Sequence, residues 1–74
     1  MSKGKEIKEY EEGIKAIDRA IMHKLRRAMQ TMMNNLGKPW DARTETSIHI
    51  KINQINLLFE ERDKLIKKLE EVIE

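Results

Sequence analysis

Residues 48–73, IHIKINQINLLFEERDKLIKKLEEVI, decide the fold. Within them Ile48, Ile52, Ile55, Phe59, Arg62, Ile66, Leu69 and Ile73 alternate by four and three residues. That is the a/d seam of a helix packed on another helix. Upstream, Ile7, Tyr10, Ile14, Ile17, Ile21, Leu25, Ala28, Met32 and Leu36 recur near the ~3.6-residue period of a straight helix. Folding the chain back near Trp40 pairs Ile7 with Ile73, Ile14 with Ile66, Ile21 with Phe59, Ala28 with Ile52 and Met32 with Ile48. The expected fold is all-α: an antiparallel two-helix hairpin in a single domain, 1–74.

Helix one is expected over about 5–34, the loop over about 35–43 and helix two over about 44–72, with a polar start (Met1 to Lys5) that frays. Asn34, Asn35 and Gly37 suit a helix C-terminus, and Pro39 cannot continue the ladder. Asp41 and Thr44 each carry an oxygen able to cap helix two. Thr44, Thr46, Ile48, Ile50 and Ile52 alternate like a strand, but the heptads that follow favour helix. Gly13 is expected on the side of helix one away from the stripe, either as a tolerated surface glycine or at a close approach by another chain.

Two helices joined by one seam leave apolar surface over. Leu58, Leu65 and Val72 stand one position before Phe59, Ile66 and Ile73 and widen the apolar arc of helix two. Helix one adds Ile17, Met29 and Met33 beside its stripe. Monomers rarely expose contiguous patches of this kind. Leu58, Leu65 and Val72 are therefore expected to drive self-association, most simply of two hairpins into a four-helix bundle.

Inside the stripe the register places Asp18 opposite Arg62. An Arg–carboxylate pair there would specify register, because slippage strands two charges. Glu11, on the edge of the same face, has Lys67 and Lys68 as rim partners.

Composition narrows the function classes. The chain has no cysteine, which predicts no disulfide and fits a cytoplasmic location. No apolar run approaches the ~18 residues of a membrane span, so no membrane partner is expected. Net charge is only +2, from 15 basic and 13 acidic residues, and does not by itself imply nucleic acid. His23 lies among Arg19, Arg26 and Arg27, a poor metal environment, and His49 has no companion ligands. No phosphate-cradling glycine loop is present, and no nucleophile has a base at helical spacing. No catalytic residue, metal or cofactor is expected.

One resemblance bears on that exclusion. Ile14-Lys15-Ala16-Ile17-Asp18-Arg19-Ala20-Ile21 with Leu25-Arg26-Arg27 resembles the opening helix of the all-helical chorismate mutases, and Gly37-Lys38-Pro39 with Asp41 and Arg43 echoes the turn after it. The resemblance implies an arginine ahead of the Ile-Asp repeat and a lysine late in the helix. Glu11 and Glu12, and Asn34 and Asn35, stand at those places. The chain also holds two helices rather than that family's three, so the resemblance supplies no activity.

Two binding features remain. Lys8, Lys15, Arg19 and Arg26 line a flank of helix one, a possible phosphate-binding stripe for nucleic acid. Met29, Met33, Trp40 and Arg43 gather at the hairpin tip, where Trp40 either plugs the open end or anchors a protein partner. The expected function is a small non-enzymatic interaction protein that associates with itself and with an unidentified protein, with nucleic-acid binding as the alternative.

Overall fold

The computed structural model describes residues 2–74. Helix α1 runs Ser2–Asn34 and α2 runs Ala42–Ile73. They pack antiparallel in a rod of 56 × 15 × 13 Å. Among the described residues there is no strand. Helix α1 starts at Ser2, inside the segment expected to fray; Met1 lies outside the described residues.

The loop is closed by local hydrogen bonds. The Asn35 and Leu36 N–H groups donate to Met32 O and Met33 O at 3.1 and 3.2 Å, tightening the last turn of α1, and Asn35 Nδ2 donates to Thr31 O at 2.8 Å. Gly37 takes φ 79°, the left-handed conformation that a glycine adopts without Cβ strain. Of the two candidate caps, Asp41 starts α2. Its Oδ1 accepts from the Thr44 N–H at 2.8 Å, and Thr44 lies inside the helix. This hydrogen bond, chiefly, holds the Asp41 carboxyl below the ordinary value of 3.8.

Among the described residues Ile21, Ala28, Ile48 and Ile55 are the buried side chains, all in the half of the rod nearer the tip. The half-buried and buried positions of α1 follow Ile7, Tyr10, Ile14, Ile17, Ile21, Lys24, Ala28 and Thr31, and Asn35 continues the series just past its end. This is a strict heptad seam rather than the 3.6-residue stripe. A seam of period 3.5 drifts away from a straight-helix stripe by about 20° per heptad. The two part at Lys24, so Leu25 lies outside the seam, though Met32 stays half-buried, and Leu36, in the turn beyond the end of α1, is 71 % exposed.

Helix α2 keeps Ile48, Ile55, Arg62, Ile66 and Leu69 of the expected seam inward, but its edge is shifted. Lys51, Leu58, Leu65 and Val72 also face inward. Leu58, Leu65 and Val72, expected outside the hairpin, are half-buried within it, while Ile52, Phe59 and Ile73 are exposed. Small residues of α1 explain the choice. A Cβ built on Gly13 would lie 3.1 Å from Leu65 Cδ1, and Ala20, seven residues on, is level with Leu58. Gly13 therefore faces the seam, and the chain that approaches it closely is its own second helix.

Candidate functional site

Asp18 and Arg62 fix which surfaces share a side of the rod. Arg62 Nε donates to Asp18 Oδ1 at 2.6 Å across the two helices, in the register expected from the sequence. The pair is not buried: its side chains are 34 % (Arg62) and 47 % (Asp18) exposed. It is the one ion pair among the described residues, so Glu11 does not engage Lys67 or Lys68.

At about 100° per residue, Leu25, Met22 and Met29 follow Asp18 along one edge of α1, and Ile52, Phe59, Ile66 and Ile73 share the corresponding edge of α2. All but the half-buried Ile66 are exposed, Phe59 at 48 %. These edges lie side by side beside the ion pair and form one broad apolar face. It is widest between the tip and the middle of the rod.

The opposite side is mixed: Ile50 and Leu57 are exposed there at 52 % and 60 % among polar side chains. There Lys24 Nζ donates to Gln54 Oε1 at 3.4 Å, and a shallow concavity of about 240 Å³ is lined by His23, Lys24, Arg27, Ile50, Lys51 and Gln54. It is smaller than ordinary ligand pockets, and it gathers cations without a carboxylate or a nucleophile. Among the described residues no three His, Cys, Asp or Glu side chains converge as a metal site, and no helix is long and apolar enough to cross a membrane.

At the tip, the Trp40 indole Nε1 donates to Asn35 O at 3.3 Å and leaves the ring 39 % exposed. Trp40 thus closes the loop without being sealed in the core. Met29, Met33 and Arg43 are exposed, while Met32 is half-buried. Along α1, Lys8, Lys15, Arg19 and Arg26 are all exposed. Lys8 and Lys15 sit on the outer margin of the apolar face, and Arg19 and Arg26 lie further round.

Sequence reasoning found the width of the apolar surface but put Leu58, Leu65 and Val72 on the outside. On this face the apolar residues left outside are Met22, Leu25, Met29, Ile52, Phe59 and Ile73. The signal that would have found them is the small-residue heptad Gly13 and Ala20, which marks where α2 seats its leucines. No family model matches the chain, and no curated protein or solved structure matches it.

Proposed function

We propose that this chain is a non-enzymatic helical interaction module that associates with itself through the face bearing Met22, Leu25, Met29, Ile52 and Phe59. The observation behind this reading is that among the described residues only four side chains are buried in the single chain, while a broad apolar face, interrupted by the Asp18–Arg62 pair, lies open on one side. A two-helix rod with so small a core is marginal alone, and covering that face adds the missing burial. Two hairpins laid face to face make a four-helix bundle with a closed core. Trp40, Met33 and Arg43 at the tip lie at the end of such a bundle, where they can receive a protein partner.

Phe59→Lys tests this reading. It should lower the mass in solution and the helicity together, since folding and assembly share the surface. Leu57→Lys, at an exposed position on the opposite side of α2, is the control and should change neither. An assembly indifferent to Phe59→Lys would contradict the proposal.

Nucleic-acid binding is the second reading, supported by the exposure of Lys8, Lys15, Arg19 and Arg26. Phosphate neutralisation by this stripe would show as an affinity for duplex or single-stranded nucleic acid that falls steeply with salt. A flat salt dependence, or no binding, removes it.

A further inference from the structure

We infer that the second copy lies on this face with its tip at the same end, so that α1 of one chain covers α2 of the other and the basic margin of α1 meets the acidic margin of the second copy's α2. This rests on the self-association reading and specifies its geometry.

Lys8, Lys15, Met22, Met29 and Leu36 recur every seven residues along the outer margin of the α1 part of the face. His49, Asn56, Asp63 and Glu70 recur in the same way along the outer margin of the α2 part. All nine are exposed. The register is set by Gly13 against Leu65 and Lys24 against Gln54 and, two residues away, by Asp18 against Arg62. It puts Lys8 within a turn of the level of Glu70, Lys15 of Asp63, Met22 of Asn56 and Met29 of His49. Within one chain these partners lie on opposite margins and cannot meet. A two-fold axis along the rod preserves every level and exchanges the margins. Each lysine then faces the acid at its own level on the other copy, twice over by symmetry.

The same operation stacks apolar on apolar. Leu25 and Met29 come over Ile52 of the second copy, and Met22 over its Phe59. The Asp18–Arg62 pair, which interrupts the apolar face, meets its own symmetry mate. Each Asp18 is then level with a second Arg62, giving a closed, neutral set of four charges. A two-fold axis across the rod fails on both counts, because with the rods fully overlapped it lays Asp18 on Asp18 and sets Lys15 and Glu11 over Met22 and Leu25. The exposed apolar side chains, with half-buried Met32 and Ile66, offer on the order of 600 Å² per copy. Two copies therefore bury about 1,200 Å², the lower end of a specific interface.

The chain has no cysteine, so spin labels can be placed singly. Glu71→Cys and, separately, Lys38→Cys report the two ends of the 56 Å rod. The proposed arrangement gives label separations under about 35 Å at both ends, as neighbouring helices of one bundle require. A dimer whose Glu71→Cys labels stand near 56 Å or further apart overturns the arrangement while leaving self-association intact. A chain that stays monomeric overturns both. Charge reversal gives an independent reading. Lys15→Glu and Asp63→Lys should each weaken dimerisation about tenfold, and the two together should restore it, because the reversed charges face each other again. Losses that simply multiply in the double variant overturn the pairing.

Discussion

A side chain added at Gly13 would begin 3.1 Å from Leu65 Cδ1. This near-contact determines which edge of α2 enters the hairpin and which is left open. It has a measurable consequence. Ala is favoured over Gly in a helix interior by about 1 kcal/mol, but here Leu65 must yield a few tenths of an ångström. Leu65 Cδ1 is the end of a flexible, half-buried side chain, so it can yield. Gly13→Ala should therefore stabilise by less than ~1 kcal/mol in thermal melts. The larger Gly13→Leu should destabilise by forcing Leu65 out of the seam. A Gly13→Leu protein as stable as the parent would mean that the helices do not approach closely here.

The hairpin, its register and its turn were legible in the sequence because they rest on periodicity and on Asn35, Gly37, Pro39 and Asp41, whose conformational preferences are local. The open face was not. Helix α2 is apolar over an arc wide enough for either Leu58, Leu65 and Val72 or Phe59, Ile66 and Ile73 to face α1, and periodicity alone does not choose between them. The choice lies in the other helix, in the room left by Gly13 and Ala20. On α1, a straight-helix period and a 3.5-residue seam agree through Ile21 and diverge afterwards, which is why Leu25 falls outside the seam; Leu36 falls outside because the helix ends at Asn34.

The Asp18–Arg62 pair gives a second test. At 34 % and 47 % exposure, the pair in a single chain couples by no more than about 1 kcal/mol. Under a second copy it is desolvated, and removing one partner becomes much more costly than removing both. A double-mutant cycle on the assembled protein should therefore give a coupling above ~1 kcal/mol, with Asp18→Leu/Arg62→Leu more stable than Asp18→Ala. Strict additivity would contradict burial of the pair under a second copy.

Asp41 makes the start of α2 sensitive to acid. Its pKa is lowered in the folded chain, mainly by the Thr44 N–H, so its stabilising effect is present above the ordinary value of 3.8 and is lost as the pH falls below it. Helicity followed by circular dichroism should decline in this window. Asp41→Asn keeps a capping oxygen and should remove this part of the pH dependence. An unchanged acid profile in Asp41→Asn would assign the loss to other carboxylates.

Trp40 should behave as a partly covered ring. Its fluorescence should be accessible to acrylamide, though less so than free indole. Trp40→Ala should cost about 1–2 kcal/mol, below the range for a fully buried aromatic. Trp40→Phe should recover the packing but not the hydrogen bond to Asn35 O. A quencher-protected, strongly blue-shifted Trp40 would show that the ring plugs the end of the core, as in an assembly that seals it.

Self-association itself is tested most directly by sedimentation equilibrium of the unmodified chain across micromolar concentrations. If the open face is an interface between copies, the mass rises to at least twice 8.8 kDa, and the melting temperature rises with concentration alongside it. A well-folded species that stays at 8.8 kDa throughout, with a melting temperature independent of concentration, would contradict it.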